Sequence, residues 1–380
     1  MSPHAVVAGH VFDGAIVHRD AAVVIEGERI AEVVPRADLP RGTPTRALSD
    51  EAWLAPGFID VQVNGGGDVL LNDAPTPEAM SAMAAAHRPF GTTSLLPTLI
   101  SDTPEKMQQA LAAADAAVQR DPAVLGLHLE GPFLSPDKPG VHDVKALRAP
   151  TAQDRALLTA PRHGVTLVTL APEQVPQNFI ADLVAANVRV SLGHSNATYA
   201  QTCAAMADGM TGFTHLFNAM RPLTSRDPGP IAAALEYPDV WFGLIADGVH
   251  VDPAVLRLAL RGAGKPMLVT DAMPPVGGKG KSFKLYGNEI LVRDGRCTRP
   301  DGTLAGAFLD MASAVRNGVR LLDLPLPRAL QLASTNPAEF LGLGHVLGRL
   351  APGCRADLVA FDPADFRVLE TWVAGKGSAI

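Results

Sequence analysis

One glutamate and two histidines stand at the ends of three separate apolar runs. Glu130 closes the core of Leu125-Gly-Leu-His-Leu-Glu-Gly-Pro-Phe133, His194 follows Arg189-Val-Ser-Leu-Gly, and His215 follows Gly212-Phe-Thr. A carboxylate at the end of a buried strand is costly unless it is paired, hydrogen-bonded or bound to a metal. One Glu and two His from different strands make a three-ligand zinc site with a position left open for water. The same oxygen and nitrogen donors also accept Fe²⁺, Co²⁺ or Mn²⁺. Taken singly, either histidine reads first as a hydrogen-bonded core residue. The shared placement of all three points to a metal.

Further groups lie at comparable places. Asp271 ends Leu268-Val-Thr-Asp, where it either caps a turn or exchanges a proton with water and leaving group. His250 ends Asp247-Gly-Val-His and can donate to a polarised carbonyl oxygen. His128 precedes Glu130 by two residues and shares its face of the strand. It is expected one layer below the metal, as packing or as an outer hydrogen-bonding group. Asn218 and Ala219 follow His215 closely enough to hold a substrate. Arg226, in Ser225-Arg-Asp-Pro-Gly229, is a solvated surface charge unless a phosphate needs its fork.

Parallel strands must position such groups. From Pro56-Gly-Phe-Ile-Asp60 onward, apolar runs alternate with alanine-rich segments, the pattern of βα units. Strands are predicted at 57–64, 91–99, 124–133, 165–172, 189–196, 212–220, 240–250 and 266–273. Helices are predicted over 76–89, 103–120, 178–187, 198–208 and 253–262. Thr76-Pro, Thr103-Pro and Asp252-Pro each place an N-cap before a first-turn proline. Eight such strands imply an α/β fold, a closed (β/α)₈ TIM-like barrel with its active site at the strands' carboxyl ends. The barrel is assigned to 55–344, with a β-hairpin insertion near 277–305. The flanking stretches 1–54 and 345–380 read as short strands and turns. Each is too small for its own core, so together they are assigned to one small β-sandwich domain.

Composition narrows the remaining choices. The chain has 380 residues, a formal charge of −7 and no basic run, which argues against nucleic acid as a partner. Its 47% hydrophobic content is that of an ordinary globular protein. Its longest apolar run falls short of the ~18 residues that span a bilayer, so no membrane association is expected. Cys203, Cys297 and Cys354 are widely spaced with no CxxC motif, as suits buried thiols in a reducing cytoplasm. No secretory signal is read at the amino terminus.

The motifs His-Leu-Glu-Gly-Pro-Phe (128–133), Gly-His-Ser-Asn-Ala (193–197), Thr-His-Leu-Phe-Asn-Ala-Met (214–220), Asp-Gly-Val-His (247–250) and Thr-Asp-Ala (270–272) together resemble the N-acetylglucosamine-6-phosphate deacetylase family. Ala-Pro-Gly-Phe-Ile-Asp (55–60) and Pro-Gly-Cys-Arg-Ala-Asp-Leu-Val (352–359) resemble the wider amidohydrolase superfamily. The resemblance implies Glu130, His194 and His215 as ligands of one divalent metal, most simply zinc. It implies Asp271 as acid/base and His250 as the group polarising the carbonyl. It further implies substrate contacts at Val141 and His142, at Asn218, Ala219 and Arg226, and at Leu304, Ala305 and Gly306, with Arg226 on a phosphate. Homodimers are usual in this family, and His142 or Arg226 would then be able to act across the interface.

One departure bears on metal number. Many superfamily members carry His-x-His on the first strand, whereas this chain has Gln62-Val-Asn64. Amides are poor metal ligands, so one tightly held ion is expected, with Gln62 and Asn64 bonding substrate or water. The implied reaction is hydrolysis of N-acetyl-D-glucosamine 6-phosphate to glucosamine 6-phosphate and acetate. The rivals are the galactosamine epimer, a cyclic amide such as a dihydropyrimidine, and a non-catalytic barrel protein. The missing dinuclear ligand set disfavours the cyclic amide. Retention of Glu130, His194, His215 and Asp271 disfavours the non-catalytic reading.

Overall fold

The computed structural model describes residues 3–379. Eight parallel strands form its centre: β1 (Phe58–Val63), β2 (Thr92–Ile100), β3 (Gly126–Glu130), β4 (Val165–Leu170), β5 (Arg189–Leu192), β6 (Gly212–Phe213), β7 (Trp241–Ile245) and β8 (Lys265–Val269). Each pairs in parallel with the next in sequence, from β1 to β8. β1, β2, β3 and β7 are buried along their whole length, which is why they read as continuous apolar runs. β5, β6 and β8 end earlier than predicted because the chain turns at the chemically loaded residues. His194, His215 and Asp271 take left-handed φ of +46°, +32° and +53° just beyond β5, β6 and β8.

β1 and β8 share no regular ladder. Their seam is closed by Asp271 N–H to Gln62 O at 3.0 Å, Asn64 N–H to Ala272 O at 2.9 Å and a bridge between Val63 and Ala272. The predicted caps bind as expected: Thr76 accepts from Ala79 N, Thr103 from Lys106 N and Asp252 from Ala254 N. No helix among the described residues is long and apolar enough to cross a membrane.

The two ends of the chain share one mixed eight-stranded sheet, in which Val359 of Leu358–Phe361 pairs with Ala55 of Trp53–Pro56. Val6, Val23, Ile30, Leu54, Leu358 and Trp372 form a single cluster inside it, and Ile30 N–H reaches Cys354 O at 2.9 Å. The two ends of the chain thus form one continuous sheet around a shared cluster, where two separate layers were expected. The insertion after β8 is larger than the predicted hairpin. It is a four-stranded antiparallel meander built from Ser282–Leu285, Asn288–Arg293, Arg296–Thr298 and Leu304–Ala307. Three X-Gly turns punctuate it, Tyr286-Gly, Asp294-Gly and Asp301-Gly, but its last two strands are only three and four residues long and escaped the prediction.

Candidate active site

Glu130, His194 and His215 form the one cluster of potential metal ligands found among the described residues, their donor atoms within 4.8 Å of one another. Glu130 Oε1 faces His194 Nε2 at 3.2 Å and His215 Nε2 at 2.9 Å, and the two imidazole nitrogens are 3.1 Å apart. His194 Nδ1–H donates to Lys138 O at 2.9 Å. In a neutral ring that bond leaves the Nε2 lone pair aimed at another lone pair on Glu130. A shared cation resolves the conflict, so the residues fit one divalent metal, with the Lys138 carbonyl fixing the ligand tautomer. Burial alone would raise the Glu130 carboxyl, but the two imidazoles hold it well below the usual range.

Asp271 sits opposite. Its Oδ1 accepts from Asn64 Nδ2 at 2.6 Å and Gln62 Nε2 at 3.2 Å. Gln62 Nε2 also faces both Glu130 oxygens at 3.3 Å, so this amide links the Glu130 carboxylate to the opposing acid. Burial, then the charge of Glu130, lifts the Asp271 carboxyl to about 6. One layer below, His128 contacts Thr98 Oγ1 at 3.2 Å and Thr169 Oγ1 at 2.7 Å, the outer position its spacing suggested.

A cavity of about 240 Å³ opens above this cluster. It is lined by Asn64, Glu130, Val141, His142, His194, His215, Asn218, Ala219, His250, Asp271, Leu304 and Gly306 of the predicted set. Gly140 lets its loop close over His194: a Cβ there would lie 2.9 Å from His194 Cε1, at φ +55°. His142 packs edge-on against His194, with ring centroids 4.4 Å apart, and its Nδ1 meets Ser101 Oγ at 2.8 Å. Burial, then the neighbouring His194 imidazole, pushes His142 down to about 3. His142 thus belongs to this chain's own cavity. His250 Nδ1 is tied to Asp247 Oδ2 at 2.6 Å.

Three predicted contacts fall elsewhere. Ala305 packs beneath the meander with Met273, Leu285 and Ile290, because strand alternation sends it opposite to Leu304 and Gly306. Arg226 is exposed on its loop and does not line the cavity. Gln62 lies behind the cavity wall, its amide committed to Glu130 and Asp271 rather than open to a substrate. Ile100, Met273 and Thr303 line the cavity without having been predicted. Their types carry no signal, although Ile100 ends β2 just as Glu130 ends β3. A larger cavity of about 550 Å³ between Leu125, Val165 and Leu347 lies at the barrel's opposite end and contains no metal-ligating cluster.

A parallel eight-stranded barrel with a Glu-His-His cluster and a facing buried carboxylate at its carboxyl-end mouth defines a metal-dependent hydrolase. The chain belongs to the amidohydrolase family, whose model matches residues 53–377. It is similar to an N-acetylgalactosamine-6-phosphate deacetylase of Shewanella sp. (strain ANA-3), 45% identical over 85% of this chain and 82% of that one. An N-acetylglucosamine-6-phosphate deacetylase of Haemophilus influenzae is 37% identical over 94% of both chains. The crystal structure of N-acetylglucosamine-6-phosphate deacetylase from Pasteurella multocida matches with a TM-score of 0.96, covering 100% of both chains at 36% identity.

Proposed function

We propose that this chain hydrolyses the acetamide of an N-acetylhexosamine 6-phosphate, N-acetyl-D-glucosamine 6-phosphate first, giving acetate and the amino sugar 6-phosphate. The observation that carries the reading is one cavity in which Glu130, His194 and His215 converge opposite Asp271. Glu130, His194 and His215 would hold one divalent ion, zinc by preference, which when bound supplies Lewis-acid polarisation and a water of lowered pKa. With Oδ1 occupied by two amides, Asp271 takes a proton from the attacking water on Oδ2 and passes it to the departing nitrogen. A carboxyl near 6 suits a group that must both accept and return a proton near neutral pH. His250, braced at Nδ1 by Asp247, turns its other nitrogen to the acetyl oxygen. Asn218, Ala219, Val141, His142, Leu304 and Gly306 shape the sugar's surroundings.

No lysine or arginine lines the cavity. A homodimer in which Arg226 of the second copy reaches the phosphate supplies the missing charge. On this reading the barrel, 55–344, carries the chemistry, and the domain built from 1–54 and 345–380 contributes nothing to the cavity lining. The charged substrate and three unpaired cysteines fit a cytoplasmic enzyme.

The 45% identity to a galactosamine deacetylase favours a second reading, the epimeric substrate. Acetate release from both phosphorylated epimers, compared as kcat/KM, decides between them. A higher value for the glucosamine compound supports the first reading, and a higher value for the galactosamine compound replaces it. No release from either removes both.

A further inference from the structure

We propose that Asp60 is the positioning residue for Asp271, acting through Thr270 across the seam between β1 and β8. The inference rests on the reading of Asp271 as the proton carrier. Asp60 is fully buried in β1 and does not line the cavity, so it touches no substrate. Both its oxygens are engaged. Oδ2 accepts from Thr270 Oγ1, and Oδ1 accepts from Thr270 N at 3.3 Å and Gln62 N at 3.2 Å. Apart from the Gln62 amide in its own strand, every donor belongs to Thr270, the residue before Asp271.

The consequence reaches Asp271 from both sides. The Thr270 hydroxyl, bound to Asp60, accepts from Ala272 N at 3.1 Å, so the residues flanking Asp271 are tied to one carboxylate. Asp271 itself stands at φ +53°, a conformation unfavourable for a non-glycine residue that persists only where its surroundings impose it. Its backbone has one tie across the seam, N–H to Gln62 O at 3.0 Å, and one to the meander, Ala307 N–H to its own O at 2.9 Å. Everywhere else around the barrel a strand ladder sets the register, whereas β1 and β8 stand at opposite ends of the pairing order. At this seam the Asp60–Thr270 bonds reinforce a short backbone contact, the Val63–Ala272 bridge with Asp271 N–H to Gln62 O and Asn64 N–H to Ala272 O. An apolar residue at 60 would fill the space without fixing Thr270, and an asparagine that keeps its oxygen on the two backbone N–H groups would turn its NH2 on the Thr270 hydroxyl, making that hydroxyl an acceptor and removing its charge-assisted bond.

The test uses Asp60→Asn and Thr270→Val, with Thr270→Ser as the conservative control, in the full-length metal-loaded protein. The readouts are acetate release from the preferred phosphorylated N-acetyl sugar, bound metal per chain and melting temperature. Thr270→Val is near-isosteric and decides the matter even where Asp60→Asn does not fold. Thr270→Val is expected to lower kcat about tenfold or more, while KM and bound metal change less than about twofold. Thr270→Ser recovers most of that loss. In an Asp271→Asn background Thr270→Val causes no further loss, because the two act through one group. An unchanged kcat, a parallel loss of metal and KM, or a full additional loss in the Asp271→Asn background overturns the assignment. A wild-type protein that releases no acetate removes the deacetylase reading and this one with it, whereas an active wild type with a normal Thr270→Val variant removes this one alone.

Discussion

Asn64 Nδ2 donates to Asp271 Oδ1 at 2.6 Å, and Gln62 adds a second amide donor to the same oxygen at 3.2 Å. Neutral amides thus fill the place where other barrels of this superfamily are expected to present two imidazoles to a second metal. They orient the opposing acid instead, leaving its other oxygen for the proton. Asn64→Ala is expected to lower kcat about ten- to a hundredfold through misorientation of Asp271, with bound metal unchanged. Steady-state kinetics and metal analysis of the variant check it. A wild-type kcat would remove Asn64 from the arrangement.

Asp271→Asn preserves shape and hydrogen-bond capacity but cannot carry the proton. The variant is expected to lose about 10²–10⁴ in kcat while retaining its metal and melting temperature. Loss of metal alongside activity would instead make Asp271 a ligand.

Glu130, His194 and His215 are the only such ligand cluster among the described residues, so metal analysis should return one ion per chain. Chelation is expected to abolish acetate release and added zinc to restore it. His215→Ala should not be restored at the same zinc concentration, because two remaining donors hold the ion weakly. Full activity in the chelated protein would contradict the site.

Arg226 lies exposed and away from its own chain's cavity, whose lining includes no lysine or arginine. Arg226→Ala is expected to raise KM for the phosphorylated sugar about tenfold or more, as for loss of a charged hydrogen bond. Turnover of the unphosphorylated N-acetyl sugar should stay as it was. Equal effects on both sugars would separate Arg226 from the phosphate.

Asp154 supplies a pH dependence that is independent of the metal. It caps the helix Ala152–Thr159 together with Thr151 and forms a two-pronged pair with Arg148 at 2.5 and 2.7 Å. Burial alone would raise its carboxyl, but Arg148 and Thr151 hold it below the ordinary value. A folded-state pKa below the unfolded one contributes stability above about pH 4, which is lost as pH falls through the folded value. Asp154→Asn is therefore expected to destabilise by about 1 kcal/mol or more at pH 7 in urea unfolding, with the difference shrinking below about pH 4. A pH-independent difference would assign the effect to packing.

The barrel and its candidate ligand cluster were legible because burial on both faces demands continuous apolar strands, and a charged or imidazole residue interrupting such a run announces itself. Glu130, His194, His215 and Asp271 were all found by that contrast, and the capping threonines by their place before proline. The meander was underestimated because its polar, half-exposed strands lack alternation strong enough to read. Ala305 lies outside the cavity lining because a three-residue motif does not say which residue of a strand faces the site.

What the sequence determined by itself was the set of donor residues and the parallel strands that end at them, since both follow from local residue type and period. Which oxygen each amide reaches was decided by the tertiary structure. Gln62 meets Glu130 across 68 positions of chain, through β1 and β3 both pairing with β2, and Asn64 meets Asp271 across 207, through the closing of β1 against β8. The seam has no ladder to be read from strand patterns, so the partners of Asp60, Gln62 and Asn64 exist only once the barrel is closed.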